Sequence, residues 1–398
     1  MIKIALLGST GSIGRQVVNT VRRYKEKFRI VSLAANSSVD VLSKQIAELR
    51  PETVALADSR KAVGIKELPA GVNLYTGENA FRHAITPDCD VVFVAISGFA
   101  GLAPTLEAIN AGKTVALANK ESLVAGGEIV MKLAKEKGVN IIPVDSEHSA
   151  VFQCLGFEKD RPFNKIVLTA SGGAFRDFDK ETIKNLKAGD ALKHPNWDMG
   201  KKITVDCATM LNKGLEVIEA CRLYNAPLEK VTAVIHPESI IHSMVEFCDG
   251  AVMAQLGFPS MEIPIQLALT YPDRYPTNVP FLSFEDRTLH FGKIDEDKFP
   301  CFGLAIESYK SGENFPCAMN AANETAVAAY LRDKIGFYDI NAVIEEVLSK
   351  TERLTPTYEN LVATDLRSRA LAAEIISARA KLLRTYNKRN RGARCIIF

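Results

Sequence analysis

The chain has 398 residues, of which 47% are apolar and 24% charged, with a formal net charge of +2. This length allows two or three domains, and the near-neutral charge argues against a nucleic-acid-binding protein. No apolar run reaches the length of a membrane span, and because a strand-like segment begins at Ile2, no targeting peptide is expected. Eight cysteines without a CxxC pair argue against a disulfide framework and favour a reducing compartment, so a cytoplasmic protein is expected.

The first 145 residues alternate between short apolar segments and helical patterns. Strands are predicted at 2–7, 29–34, 53–57, 90–96, 114–118 and 139–144. Helices are predicted at 12–24, 39–49, 102–111 and 121–137. This alternation is typical of parallel βαβ units. The fold class is therefore α/β, with an N-terminal doubly wound, Rossmann-like domain at 1–145.

The rest of the chain changes in character twice. Segment 146–275 is predicted to be an α+β catalytic domain, with a helix at 210–224 and strands at 165–169, 203–206, 231–235, 239–247 and 251–256. The proline-rich stretch 271–280 has no helical or alternating pattern and indicates a connector. A linker is predicted at 276–300. A C-terminal helical domain is predicted at 301–398, with helices at 303–311, 318–334, 340–349 and 358–383.

The C-terminal tail is basic, with six Lys or Arg residues and no acidic residue between Lys381 and Arg394. It ends in Cys395-Ile396-Ile397-Phe398, which formally matches a prenylation motif behind a polybasic stretch. We favour the alternative of a basic helix terminus, because nothing else in the sequence suggests a lipidated protein.

A glycine-rich loop, Gly8-Ser9-Thr10-Gly11-Ser12-Ile13-Gly14, follows the first predicted strand and opens the first helix. In this position the loop predicts a dinucleotide site, because the backbone can approach a pyrophosphate at a helix N-terminus. The second strand is followed by Asn36-Ser37-Ser38, without the acidic residue that usually binds the ribose of NAD. These side chains can donate to a 2′-phosphate, so NADPH is preferred over NADH. Ser38 could also cap the following helix.

Asp145, Ser146 and Glu147 end the apolar segment 141–144. In an extended backbone the two carboxylates, at i and i+2, would point to the same side and repel each other unless a cation compensates them. This spacing suggests a hard-metal site. The alternative is a strand end followed by a helix N-cap. The spacing alone does not decide between them.

A second polar cluster is predicted near the start of the helix at 210–224. Asn212, Lys213 and Glu216 share one helix face, so Glu216 could supply a third carboxylate for Mg²⁺ or Mn²⁺. An ordinary surface Lys–Glu pair is the alternative.

Two loops complete the set of candidate segments. Ser171-Gly172-Gly173 could hold a phosphate, with Lys213 as a point charge, or could be an ordinary turn. The loop His194–Gly200 contains Trp197, the only tryptophan, which could cover a ligand or anchor an interface.

Together these segments resemble one family, the 1-deoxy-D-xylulose 5-phosphate reductoisomerases. The resemblance extends over nearly the whole chain, in the runs 8–14, 117–122, 143–148, 171–173, 194–200, 210–216, 235–239 and 304–324. It implies a homodimer that converts 1-deoxy-D-xylulose 5-phosphate, a phosphorylated ketose, into 2-C-methyl-D-erythritol 4-phosphate. The carbon skeleton first rearranges to an aldehyde, and NADPH then reduces that aldehyde.

The resemblance also implies roles for individual residues. Asp145, Glu147 and Glu216 would bind Mg²⁺ or Mn²⁺ and would form the catalytic set with Lys120 and His194. Substrate would be held by Lys120, Ser146, Glu147, Ser171, His194, Asn212, Lys213, Glu216 and His236, under a closing loop that contains Trp197 and Met199. NADPH would contact Thr10, Gly11, Ser12, Ile13, Asn119, Glu121 and Gly200.

The sequence departs from the family pattern at two positions. Cys207 replaces a serine that is a phosphate ligand in many members, and a thiol is the weaker hydrogen-bond donor. Asn36-Ser37-Ser38 stands where some members have Gly-Lys-Asn, which removes a positive charge from the 2′-phosphate pocket.

Two other functions are alternatives to the reductoisomerase. One is a metal-independent NADP-dependent dehydrogenase of another carbonyl substrate, and the other is a non-catalytic NADPH-binding regulator. Neither would need Asp145, Glu147 and Glu216 together.

Overall fold

The computed structural model describes residues 1–197 and 199–393. The CaaX-like end at 395–398 lies outside these residues, so the structure does not bear on its interpretation. Across the described part of the chain, none of the helices combines the length and apolar character needed to cross a membrane.

Seven parallel strands form the first sheet: β1 (Ile2–Leu7), β2 (Phe28–Ala35), β3 (Thr53–Leu56), β4 (Asn73–Thr76), β5 (Val91–Val94), β6 (Thr114–Leu117) and β7 (Ile141–Pro143). Their spatial order is β4-β3-β2-β1-β5-β6-β7. The strand order reverses between β1 and β5, which creates a crevice at the carboxyl ends of these strands. The predicted doubly wound fold is confirmed. Strand β4 was not predicted, because it is short and mostly exposed and so has no apolar pattern.

Helices cover both faces of this sheet: α1 (Ser12–Arg23), α2 (Val39–Leu49), α3 (Phe81–Ala84), α4 (Leu102–Asn110) and α5 (Lys120–Lys137). Alternate residues of β1 face opposite layers, because strand side chains have a period of two. Ile4 and Leu6 belong to a core with α1 and α2, whereas Ala5 and Leu7 belong to a core with α4 and α5. This double burial explains why the predicted strands are continuous apolar runs.

The second region contains α6 (Ser146–Cys154), β8 (Lys165–Ala170), α7 (Lys180–Asn185), α8 (Ala188–Ala191), α9 (Lys201–Ala208), α10 (Leu211–Leu223), β9 (Val231–Ile235), β10 (Ile241–Glu246), β11 (Val252–Leu256) and α11 (Glu262–Thr270). Its mixed sheet has the order β11-β10-β8-β9, and only the pair β8 and β9 is parallel. The strand predicted at 203–206 is wrong, since these residues lie within α9. A window of four residues cannot separate a strand from a buried helical turn.

Four further helices complete the described fold: α12 (Pro300–Ser311), α13 (Phe315–Tyr330), α14 (Phe337–Ser349) and α15 (Tyr358–Ala393). Helix α13 packs against α12, α14 and α15 and also contacts α5 of the nucleotide region. Helix α11 packs its Ile265 and Leu269 into the same core as Ile4, so the central segment is not separate from the first sheet. The domain limits drawn from the sequence stay a prediction.

Candidate active site

A cleft of about 300 Å³ lies at the carboxyl ends of the first sheet and extends to β8, α9 and α10. It gathers most of the site residues that the sequence predicted. These lining residues are Gly11, Ser12, Ile13, Lys120, Glu121, Asp145, Ser146, Glu147, Ser171, His194, Trp197, Met199, Gly200, Cys207, Asn212, Lys213, Glu216 and His236. Among the described residues, the predicted Thr10, Asn36, Ser37, Ser38 and Asn119 do not line it.

The glycine-rich loop lies tightly against the loop after β5. Gly8 has φ +89°, and a Cβ there would collide with the carbonyl group of Ala95. A Cβ at Gly14 would collide with the carbonyl oxygen of Gly8. Gly11 occupies the N-cap of α1 and brings no side chain to the helix terminus. The loop therefore leaves backbone amides at the switch point of the sheet, where a pyrophosphate can approach them.

The end of β2 lies outside the cleft but beside the glycine-rich loop. Asn36, Ser37 and Ser38 are exposed there. Ser38 is the N-cap residue of α2, yet its side chain forms no capping hydrogen bond in the described structure. The capping alternative is therefore not supported by the geometry, and the hydroxyl is accessible from solvent.

Asn119 is buried and has a local structural use. Its Oδ1 accepts a hydrogen bond from the Ser122 amide at 2.9 Å and so caps α5. Its Nδ2 donates to the carbonyl oxygens of Ile96 at 2.6 Å and Gly98 at 2.9 Å. Asn119 therefore ties the loop after β5 to the start of α5, whereas the neighbouring Glu121 faces the cleft.

Three carboxylates converge at the floor of the cleft. One ligand oxygen from each of Asp145, Glu147 and Glu216 lies within 4.8 Å of the others. The extended backbone assumed for Asp145 and Glu147 is wrong, because Asp145 is the N-cap of α6 and Glu147 lies in its first turn. The N-cap interpretation is confirmed and does not exclude a metal site: Asp145 accepts from the Ser146 amide at 3.1 Å and also faces the cleft.

Two lysines compensate this negative charge. Lys120 Nζ lies 2.5 Å from Asp145 Oδ2 and 2.9 Å from Glu216 Oε1. Lys213 Nζ lies 2.7 Å from Glu147 Oε1 and also contacts Glu216. With three carboxylates and two ammonium groups, the cluster has a formal charge of −1, which leaves it able to attract a further cation.

The pKa shifts show that burial and the repulsion between like charges oppose ionisation of this cluster, whereas the lysines favour it. Burial, and then the charge of Glu147, raise the pKa of Glu216. Burial alone would also raise the pKa of Glu147, but Lys213 and Lys120 outweigh it and lower that pKa to about 2. Burial raises the pKa of Asp145 despite the opposing charge of Lys120. A divalent cation would stabilise the ionised form of all three carboxylates.

Helix α10 presents Asn212, Lys213 and Glu216 to the cleft on one face, as predicted. Met210 has φ +60°, so the chain turns sharply between α9 and α10 in a left-handed conformation. Asn212 Nδ2 donates to Glu216 Oε1 at 2.6 Å, while its Oδ1 accepts from Lys120 at 2.9 Å. The surface Lys–Glu alternative is wrong, because Lys213 and Glu216 have only 3% and 1% of their side-chain surface exposed.

Ser171 and His194 form a neutral hydrogen-bonding pair 3.0 Å apart. His194 Nδ1 accepts from the amides of Asn196 at 3.2 Å and Trp197 at 3.0 Å, so its proton is on Nε2. That proton is donated to Ser171 Oγ, which also accepts from the Gly173 amide at 3.2 Å. The Ser171 hydroxyl is therefore left to donate its own proton to an anion.

Gly172 and Gly173 shape this turn. Both have positive φ, +86° and +68°, and a Cβ on Gly173 would collide with the carbonyl oxygen of Cys207. The turn therefore packs directly on α9, with Ser171 and Cys207 lining the same cleft. Burial, and next the charge of Glu216, raise the pKa of the Cys207 thiol, so that the thiol is protonated and neutral.

The loop containing Trp197 crosses the cleft next to β10. The Trp197 ring centroid is 6.0 Å from that of His242. Asn196 Nδ2 fastens the loop by donating to Pro237 O at 2.7 Å and Ser239 Oγ at 2.8 Å. The His236 side chain stabilises its own turn, because its Nε2 accepts hydrogen bonds from the amides of Ile240 and Ile241.

Several residues of the site were missed from the sequence. Lys202 and Asp206 form an ion pair of 2.9 Å on α9, and both line the cleft. Their i, i+4 spacing was a usable signal, but the strand predicted at 203–206 concealed it. His148 and Glu219 lie buried behind Asp145, with Nε2 and Oε2 3.1 Å apart. No local signal joins them, because 71 positions separate them in the chain.

A doubly wound sheet with a glycine-rich switch point and an adjoining acidic cleft is typical of dinucleotide-dependent oxidoreductases. Family models then match residues 4–127 (1-deoxy-D-xylulose 5-phosphate reductoisomerase), 141–224 (its C-terminal domain) and 256–371 (DXP reductoisomerase C-terminal domain). The chain belongs to the 1-deoxy-D-xylulose 5-phosphate reductoisomerase family and is an enzyme.

Curated relatives and solved structures agree with this assignment. The reductoisomerase of Caldanaerobacter subterraneus subsp. tengcongensis is 49% identical over 93% of this chain and 98% of the relative. That of Bacteroides fragilis is 47% identical over 94% of this chain and 98% of the relative. The Zymomonas mobilis enzyme, solved with NADPH, is 40% identical with a TM-score of 0.88 over 94% of this chain and 99% of that one. A further reductoisomerase structure, with NADPH, fosmidomycin and magnesium, is 36% identical with a TM-score of 0.89 over 95% of this chain and 98% of that one.

Proposed function

We propose that this enzyme converts 1-deoxy-D-xylulose 5-phosphate into 2-C-methyl-D-erythritol 4-phosphate, using NADPH and Mg²⁺ or Mn²⁺. The observation that carries the proposal is the convergence of Asp145, Glu147 and Glu216 in a cleft that also includes the glycine-rich loop. A nucleotide site and a cation site thereby meet in one space, as a combined rearrangement and reduction requires.

The residues present fit NADPH. The glycine-rich loop would hold the pyrophosphate through backbone amides at the N-terminus of α1. The exposed hydroxyl and amide groups of Asn36, Ser37 and Ser38 would hydrogen-bond the 2′-phosphate, and no acidic residue stands among these three to repel it. Glu121 and Gly200 line the same cleft, and the nicotinamide end would lie beside them.

The carboxylates also fit a divalent metal ion. Three oxygen donors within 4.8 Å of one another are the ligand type that Mg²⁺ and Mn²⁺ prefer. When bound, such an ion supplies Lewis-acid stabilisation of the negative charge that develops on substrate oxygens. With the ion bound, Lys120 and Lys213 would bring the cluster to a formal charge of +1, which suits an anionic substrate, and would donate hydrogen bonds towards it.

The phosphate of the substrate would lie at Ser171, Asn212 and Lys213. The neutral His194 keeps the Ser171 hydroxyl oriented as a donor, because the Ser171 oxygen already accepts a hydrogen bond from His194 Nε2–H. Cys207, in the same wall of the cleft, would offer only a weak S–H donor. Trp197 and Met199 would cover the bound substrate and limit access of water to the reacting atoms.

This assignment is favoured over the two alternatives. A metal-independent dehydrogenase has no use for three converging carboxylates, one buried and two partly buried, that repel one another, and neither does a non-catalytic NADPH-binding regulator. Burying such groups costs free energy that a functional cation site explains.

NADPH oxidation measured with 1-deoxy-D-xylulose 5-phosphate, with and without Mn²⁺, tests the proposal. We expect turnover with Mn²⁺ or Mg²⁺ and loss of turnover in excess chelator. Turnover that chelator leaves unchanged would remove the metal from the mechanism. Intact NADPH binding without turnover would favour the regulator.

We further propose that the enzyme is a cytoplasmic homodimer. The described cysteines are unpaired, which supports a reducing compartment. Strand β11 is a sheet edge with Val252 and Met253 about half exposed, and Phe281 and Phe284 are exposed in the connector. These apolar surfaces support an interface between two copies. Light scattering on the purified protein should give a dimer mass, and a monomer at micromolar concentration would contradict the proposal.

A further inference from the structure

Glu121 presents a buried carboxylate to the cleft. It lies in the first turn of α5, and only 10% of its side chain is exposed. Its Oε2 accepts from Asn119 Nδ2 at 3.1 Å. A buried carboxylate with a single neutral donor would be poorly compensated, so its orientation depends on a further partner.

That partner is Lys202 on α9. Its Nζ lies 2.7 Å from Glu121 Oε1 and 2.9 Å from Asp206 Oδ2. Asp206 is 1% exposed and accepts from Asn323 Nδ2 of α13 at 2.9 Å. The ammonium group therefore joins the nucleotide region to the second region, and Asp206 extends the network to α13.

The position of Lys202 in the chain gives this bridge a consequence for the site. Lys202 is the second residue of α9, whose N-cap is Gly200, and both residues line the cleft with Glu121. Fixing Lys202 between two buried carboxylates fixes the start of α9 relative to α5. The two cleft residues expected beside the nicotinamide, Glu121 and Gly200, are thereby held in one geometry.

We propose that Lys202 is a positioning residue for NADPH: it orients the Glu121 carboxylate and joins α9 to the nucleotide region. The inference rests on the proposed use of NADPH. Lys202 acts through Glu121 and Gly200, and the charge it supplies cannot be replaced by Lys120, which is engaged with Asp145 and Glu216.

The test measures NADPH binding directly, by fluorescence in the absence of substrate, on Lys202→Met in the full chain. We expect the NADPH dissociation constant to rise about tenfold, the order expected when one charge-assisted hydrogen bond is lost. The KM for 1-deoxy-D-xylulose 5-phosphate should change less than about twofold, because the carboxylate cluster and Ser171 are untouched. Lys202→Arg should restore most of the affinity, since a guanidinium can bridge both carboxylates.

Lys201→Met is the matched control, because this neighbouring lysine is exposed and its removal should leave NADPH affinity unchanged. A double-mutant cycle adds a second readout: Lys202→Met combined with Glu121→Gln should bind NADPH no more weakly than Glu121→Gln alone. If Lys202→Met does not fold, Lys202→Gln serves in its place.

Unchanged NADPH affinity in Lys202→Met overturns the inference. So does a parallel rise of the NADPH dissociation constant and the substrate KM with a lowered melting temperature, which would indicate a general structural role. If the wild-type protein binds NADPH but does not turn over the substrate, the proposed function fails while the binding assay still tests Lys202. A wild-type protein without NADPH affinity overturns both.

Discussion

Lys120 and Asp145 form an ion pair at the floor of the cleft, with Nζ 2.5 Å from Oδ2. Lys120 begins the helix after β6, and Asp145 follows β7, the neighbouring strand. Because parallel strands end at the same edge of a sheet, residues 25 positions apart become direct neighbours there. This relationship places the lysine that we propose binds substrate beside a proposed metal ligand.

Glu216→Gln should lower metal-dependent turnover by at least about 100-fold, the order of loss when a group that stabilises developing charge is removed. NADPH binding should survive, because Glu216 is not among the residues expected to contact NADPH. Turnover and NADPH fluorescence titration measure the two effects separately. Glu229→Gln, at an exposed glutamate, is the control. Near-normal activity of Glu216→Gln would exclude Glu216 as a metal ligand.

Cys207→Ser should leave the KM for the phosphorylated substrate unchanged or lower it by about 2- to 10-fold, because a hydroxyl is a stronger donor than a thiol and one neutral hydrogen bond contributes on the order of 1 kcal/mol. Steady-state kinetics at saturating NADPH measure this effect. Cys248→Ser, at an exposed cysteine, should have none. A raised KM would place residue 207 away from the phosphate.

Ser37→Asp should raise the KM for NADPH by about tenfold or more while affecting NADH much less, because a carboxylate there would repel the 2′-phosphate. The ratio of kcat/KM for the two nucleotides measures the change. The same substitution at the exposed Ser283 of the connector controls for a general effect of charge. An unchanged ratio would show that the 2′-phosphate does not approach Ser37.

His194 should remain neutral well into the acidic range, since burial, and next the charge of Arg176, lower its pKa to about 4. The unfolded chain binds this proton below about pH 6.5. The contribution of the neutral imidazole to folding stability is therefore complete above pH 6.5 and is lost as the pH falls towards 4. NMR titration of the ring should give a pKa near 4 in the folded protein. A pKa near 6.5 would contradict the neutral Ser171–His194 pair.

Much of the fold was predictable because its signals are local. The strands of the first sheet are buried on both faces and so appear as apolar runs, and the helix Val39–Leu49 was predicted with its observed ends. The strand at 203–206 failed because its window was too short for periodicity to separate helix from strand. The Asp145 and Glu147 pair was identified for the wrong geometric reason: β7 ends at Pro143, and the two carboxylates are presented by the N-terminus of α6.

The sequence by itself determined the class of sheet, the nucleotide loop and the family, because periodicity, glycine spacing and ordered motifs are properties of neighbouring residues. Only the tertiary structure decided which charges meet. Glu216 converges with Asp145, Glu147 and Lys120, and Lys202 meets Glu121, across long separations in the chain. Such contacts depend on where β6 and β7 end and where α9 and α10 begin. Electrostatic interactions follow distance and burial rather than sequence spacing.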